Sequence, residues 1–307
     1  MDNAEAVSAF RLLVALAILA VASVLDVRTR KVGNTYWILM AGIGLVLLPV
    51  QIFVDNERLI AVDEPPRWAY LWVIVPILAV LADVYLEGKP GSRFEKLGPA
   101  LKYAVAIIAV IVLAYTWGSE TLFQHYLAVP IMMLVVVALY MLDFIRGGAD
   151  AKALISLSIL FPFYPEVAGL PWIQGETELS TIVFPFAFTV LVNAAIIVAI
   201  FVPLGFLLKN VFAGDFRFPN AFLGLRMEAD KAQKSHVWLM ERIEDGKHTI
   251  YSRPRRDEDL SMELGLLRSA GINRVWVTPK IPFMVPMLAS LVMSALVGNI
   301  LALLFPL

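Results

Sequence analysis

The chain has 307 residues, 60% of them hydrophobic and only 17% charged, with a mean hydropathy of +0.77. Soluble domains lie nearer half apolar with about a quarter of their residues charged, so the composition excludes a soluble globular protein and indicates a polytopic membrane protein. A formal net charge of −1 gives nucleic acid no bulk electrostatic attraction, and the absence of cysteine removes disulfides, thiolate metal sites and cysteine nucleophiles.

The N-terminus, MDNAEAVSAFRLL, is acidic rather than basic and shows no small-residue cleavage site. The first apolar run is therefore expected to be a retained span and not a removed signal peptide. A crossing helix needs about 20 mostly apolar residues. The apolar runs predict spans over 8–25, 36–54, 68–86, 100–117, 126–145, 151–164, 181–208 and 283–305. The sixth is short and ends at Pro162 and Pro165, and the seventh is long enough to tilt or to bend at Pro203-Leu204-Gly205.

Cytoplasmic loops are enriched in Lys and Arg. The 26–35 loop carries Arg28, Arg30 and Lys31, the 87–103 loop carries Lys89, Arg93, Lys96 and Lys102, and the 146–152 turn carries Arg146 and Lys152. The intervening 55–67 loop holds Arg58 and Arg67 against four acids, and 118–125 and 165–180 hold no Lys or Arg. The alternation supports eight spans over seven, with both termini outside. The segment 209–280 carries 13 of the 25 Lys and Arg residues and reads as short alternating elements. Strands are expected in FLGLRMEA, HTIYSRP and NRVWVTP, helices in SHVWLMERIED and DLSMELGLLRSAG, with turns at Asp245-Gly246 and Ala270-Gly271. The expected fold class is an all-α polytopic membrane protein of about eight transmembrane helices, with a small α+β cytoplasmic segment before the last helix. Its domains are a transmembrane domain over 1–208, the α+β segment over 209–280 and a C-terminal helix over 281–307.

Two acids stand where an apolar run meets a basic loop: Asp26 in LDVRTRKVGN and Asp150 in RGGADAKALISL. Ionisable groups at hydrocarbon depth are costly, and by default they are candidate functional groups. Asp26 lies at a helix C-terminus, the end at which the dipole disfavours an anion. Asp150 stands at a helix N-terminus after Gly147 and Gly148, which free the backbone for positive φ and close approach. An N-capping role would explain Asp150 alone. A pair on one membrane face, in unlike fields, could instead hold one protonated and one ionised carboxyl and activate water.

The remaining polar positions read as structural. Asp143 can pair with Arg146, Asp83 sits at a solvated helix end near Glu87, and Asn193 makes an interhelical hydrogen bond. Lys152 snorkels to the interface or tunes the field at Asp150. Tyr36, Trp37, Trp68 and Trp72 form an interfacial belt, and the Arg253, Arg255 and Arg256 cluster is a membrane-surface anchor to anionic lipid. His125, His236 and His248 make no HExxH pattern, no serine-protease arrangement is present, and neither GxxxxGK nor GxGxxG occurs. No metal and no cofactor is expected.

At these residues the chain resembles the archaeal type IV prepilin peptidases, including the preflagellin (prearchaellin) peptidases. LDVRTRKVGN is similar to the family's first aspartate motif. GGADAKAL is similar to its GxGD motif, with Ala149 in place of the second Gly, and RVWVTPKIPFMVPMLASLVMSALVGNIL is similar to the C-terminal segment of one archaeal subgroup. The resemblance implies a GxGD-type membrane aspartyl endopeptidase with Asp26 and Asp150 as catalytic pair, and Gly147, Gly148 and Ala149 positioning the backbone. It further implies pilin-like or archaellin precursors as partners, and a multi-pass location in the cytoplasmic membrane with the active site facing the cytoplasm. The cysteine-containing segment that bacterial members associate with N-methylation is absent. Two other readings are a proton-coupled transporter, which requires acids at mid-membrane depth, and a presenilin-like intramembrane protease, whose YD and PAL motifs do not occur here.

Overall fold

A computed structural model describes residues 3–54, 66–86, 99–173, 178–244, 246–252, 254 and 259–300. The expected basic positions Arg58, Lys89, Arg93, Lys96, Arg253, Arg255 and Arg256 lie outside the described residues, as do Glu87 and Asp245. The chain divides into two compact units, Met1–Ala194 with Phe283–Leu307, and Ala195–Pro282.

The first unit is helical: α1 (Asn3–Thr29), α2 (Asn34–Val54), α3 (Arg67–Tyr70), α4 (Ile74–Leu86), α5 (Pro99–Trp117), α6 (Thr121–Met141), α7 (Gly148–Leu160), α8 (Glu178–Val183), the start of α9 (Phe186–Phe212) and, much later in the chain, α13 (Met284–Leu296). A 3-10 turn over Leu71–Val73 joins α3 to α4, so the third expected span is one continuous helix with a tightened turn. Among the described residues five helices are long and apolar enough to cross a membrane: Ala4–Thr29, Asn34–Phe53, Arg67–Tyr85, Thr121–Met141 and Phe186–Phe212. The eight expected crossings are therefore not all matched. Leu101–Trp117 and Met284–Leu296 are shorter apolar helices, and the 13-residue α7 is shorter than a crossing requires.

Helix α7 is the centre of this unit. Ala151 and every residue from Ala153 to Leu160 are buried, and α2, α6 and α7 pack together. It stops at Phe161 because Pro162 disfavours helical geometry in the residue before it and has no N–H to donate. Gly44 of α2 lets the backbones meet, since a Cβ there would lie 2.9 Å from the main chain of Ile159 and Leu160. Helix α13 packs on α1, and α4 packs on α5. Trp37, expected at the interface, is instead fully buried, because the first turn of α2 faces α7, where Ser156 Oγ donates to the Trp37 carbonyl at 3.0 Å. Trp68 and Trp72 are exposed, as an interfacial belt requires.

The second unit contains the rest of α9, then α10 (Asn220–Leu223), β1 (Leu225–Glu228), α11 (Ala229–Gln233), β2 (Val237–Leu239), β3 (Glu241–Glu244), β4 (Lys247–Ile250), α12 (Leu260–Ser269) and β5 (Arg274–Pro279). Strand β5 lies between β1 and β2 in an antiparallel sheet, with Val277 opposite both Leu225 and Leu239, while β3 and β4 form a separate hairpin. Its core joins Val237, Leu239, Val275 and Val277 to Leu264 and Leu267 of α12. The helix expected over 235–245 is thus two strands. Its Leu, Met, Glu and Arg residues favour a helix in isolation, but pairing of Val237–Leu239 with β5 and of Glu241–Glu244 with β4, aided by the β-branched or aromatic Val237 and Trp238, prevails. The helix expected from Asp259 is present, with the Asp259 carboxylate capping Ser261 N at 2.9 Å.

Replacing Gly44 by alanine should force α2 from α7 and cost about 1–3 kcal/mol, whereas a Cβ at Gly42 meets nothing within 4 Å. Thermal unfolding of the purified protein in detergent should show a lowered midpoint for Gly44→Ala and no loss for Gly42→Ala.

Candidate active site

Helix α1 runs past Asp26 to Thr29, and Arg30 N donates to the Asp26 carbonyl at 3.1 Å. Arg30 then takes a left-handed conformation, φ 56°, and ends the helix. At this end of α1 the free carbonyls of its own helix disfavour a carboxylate. The compensation comes from another helix. Met284, the first residue of α13, donates its backbone N–H to Asp26 Oδ2 at 3.2 Å. One turn earlier on α1, buried Ser23 donates its hydroxyl to the Met284 carbonyl at 2.9 Å. Two hydrogen bonds therefore fix the Asp26 face of α1 to the N-terminus of α13, where the dipole favours an anion.

Asp150 is the third residue of α7. Gly147 is the N-cap, in an extended conformation (φ −86°, ψ 115°), and no side chain caps the helix. The capping explanation for Asp150 therefore fails. The glycines also act differently from expectation: Gly147 has negative φ, and Gly148 and Ala149 are helical. The left-handed residue of this turn is Asp143, φ 60°, which accepts from Arg146 Nε at 3.2 Å. A Cβ at Gly147 would lie 2.1 Å from Asp150 Oδ2, so any side chain there would force the Asp150 carboxyl to turn away. At Gly148 the nearest atom to an added Cβ is the Tyr140 hydroxyl oxygen at 3.6 Å, and Ala149 packs against the core.

The two motifs, far apart in sequence, meet. Lys152 Nζ donates to Asn34 Oδ1 at 3.0 Å, so the last residue of LDVRTRKVGN touches the lysine of GGADAKAL. Asp150 precedes the apolar stretch 151–164, and its carboxyl is pushed up to about 7, first by burial and second by the negative charge of Asp26. Among the described residues no hydrogen bond joins the two carboxyls, and none holds Asp150. Burial first, and the charge of Asp26 second, favour the protonated form of the Asp150 carboxyl.

The other polar residues sort out clearly. Asn193 bonds Ser294 Oγ and the Gly298 carbonyl, both at 2.9 Å, and is structural as expected. Asp83 is not a solvated helix end. It is buried, with Oδ1 bound by Lys102 Nζ at 2.9 Å and Oδ2 by the Tyr103 hydroxyl, because the opposing charge sits on the neighbouring span. His248 pairs with buried Glu241 at 2.8 Å. Among the described residues no group of His, Cys, Asp and Glu could hold a metal ion. Ser23, Met284 and Asn34 were not assigned roles by sequence reasoning. A main-chain amide carries no residue-type signal, and only the unfavourable helix end of Asp26 pointed to a missing partner.

Residues 217–300 match the family model described as "Archaeal Peptidase A24 C-terminus Type II". No curated protein matches the chain. The match supports an archaeal A24-family prepilin/preflagellin peptidase, and with the long apolar helices it indicates a membrane-embedded protease. The matched segment includes Met284, whose amide binds Asp26.

Aspartate carboxyls labelled with carbon-13 should show Asp150 titrating near 7. In Asp26→Asn the midpoint should fall, because a neighbouring negative charge is gone, yet stay above the ordinary carboxylate range, because burial is the larger cause. An unmoved midpoint would show that the two carboxyls do not interact.

Proposed function

We propose that the protein is a membrane-embedded aspartyl endopeptidase that removes short basic leader peptides from type IV pilin-like or archaellin precursors at the cytoplasmic membrane face. The observation that carries this reading is the meeting of the two motifs. Lys152 binds Asn34, and the charge of Asp26 acts on Asp150. The basic loops following Asp26 and preceding Asp150 support a cytoplasmic location.

In the proposed reaction Asp26 is the ionised base and Asp150 the acid. Water bonds to the scissile carbonyl carbon while its proton passes to Asp26, and Asp150 protonates the carbonyl oxygen. The C–N bond of the resulting diol then breaks. The proton held by Asp26 goes to the leaving amine, and a diol proton returns to Asp150 as the carboxyl product forms. General acid–base catalysis of this kind contributes about 100- to 10,000-fold in rate. The Met284 amide keeps an acceptor oxygen of Asp26 oriented, leaving the other for water. Gly147 leaves room for the Asp150 carboxyl.

The test is leader removal from a purified pilin-like precursor. Asp26→Asn and Asp150→Asn should each lower kcat/KM by at least about 100-fold while the protein remains folded. Wild-type cleavage by either variant would overturn the reading. Because Asp150 must be protonated, activity should decline as pH rises through about 7. Gly147→Ala, whose Cβ would collide with Asp150 Oδ2 at 2.1 Å, should lose activity that Gly148→Ala retains.

A further inference from the structure

A cavity of about 520 Å³ opens beside the head of α7, lined by Asp83 of α4, Tyr103 of α5, Tyr140 and Met141 of α6, and Gly148 and Lys152 of α7. Gly148 and Lys152 flank Asp150 in sequence, so a chain lying across Asp150 would have this cavity within reach of a neighbouring side chain.

The charges of the cavity are unequally compensated. Asp83 has both oxygens engaged, Oδ1 by Lys102 and Oδ2 by Tyr103, so it offers no acceptor free of a cation or hydroxyl. Lys152 has neutral company: Nζ donates to Asn34 Oδ1 and lies 5.7 Å from the centroid of the Tyr85 ring. Among the described residues no carboxylate lies within ion-pair distance of Lys152. Among the described residues the cavity therefore presents one cation without an ion-pair partner, against apolar and tyrosine walls. A partly enclosed ammonium group gains when a carboxylate enters to pair with it, and a site built this way rejects the opposite charge.

We propose that this cavity is a substrate subsite that takes an acidic side chain of the precursor near the scissile bond, with Lys152 as its ion-pair partner. The proposal rests on the peptidase reading and gives α4 and α5 a task. Asp83 and Tyr103 line the cavity, and Lys102 cancels the negative charge of Asp83 that would otherwise repel the ligand.

The experiment uses the full-length enzyme and a series of precursors. In these, Glu, Gln or Lys is placed singly at each of the positions flanking the cut, and kcat/KM is compared within each trio. The wild-type enzyme should favour Glu over Lys by about tenfold at one position. Lys152→Gln should flatten that preference, and Lys152→Glu should invert it. A lysine that only tunes Asp150 would change all three rates together and leave their ratio intact. If the Lys152 variants are too slow to assay, the same ratio is read from anisotropy of fluorescent precursors bound to Asp150→Asn enzyme with and without Lys152→Glu. The proposal is overturned by a wild-type enzyme indifferent to charge at every position, or by a preference that survives in Lys152→Gln. Failure of the peptidase reading looks different, since the wild-type enzyme would then cut no member of the series.

Discussion

The candidate site depends on one short helix packed between its neighbours. Helix α7 has 13 residues and is buried along almost all of them, which at about 1.5 Å per residue gives roughly 20 Å against a hydrocarbon core of about 30 Å. Asp150 stands at the head of this helix and is partly buried with it. The close backbone approach at Gly44 holds α7 against α2, and Pro162 ends it.

A withdrawn carboxylate must be paired, hydrogen-bonded or protonated. Three acids of the helical unit show the three outcomes. Asp83 is neutralised by a lysine and a tyrosine hydroxyl from the neighbouring span, and both oxygens are occupied. Asp26 accepts a main-chain amide from the start of α13. Asp150 has neither, and burial favours its protonated form. The first is a structural pair. The other two differ in that one is held by a main-chain amide and the other has no hydrogen-bond partner among the described residues.

Much of this was legible in the sequence, and what was hidden has a common cause. Apolar runs locate helices because each span must satisfy its own backbone, and the brevity of 151–164 was visible from Pro162 and Pro165. The dipole argument flagged Asp26 as misplaced. Its partner at Met284 could not be read, since it depends on a contact between residues 258 positions apart and on a backbone group shared by every residue type. Asp83 was misread as solvated for the same reason: its cation lies across an interhelical contact. The glycine at 147 was noticed for its conformational freedom, whereas its use is the missing side chain. In 235–245 local helix propensity lost to strand pairing, with β5 for Val237–Leu239 and with β4 for Glu241–Glu244.

The central claim is that Asp26 and Asp150 act together on one water. A precursor peptide whose scissile bond is replaced by a hydroxyl-bearing isostere puts a hydroxyl where that water would sit, and transition-state mimics of this kind bind about 100-fold or more tighter than substrates. The account predicts tight binding to the wild-type enzyme that is lost on either Asp26→Asn or Asp150→Asn, measured by calorimetry in detergent. Equal affinity of the isostere for wild type and both variants would contradict it.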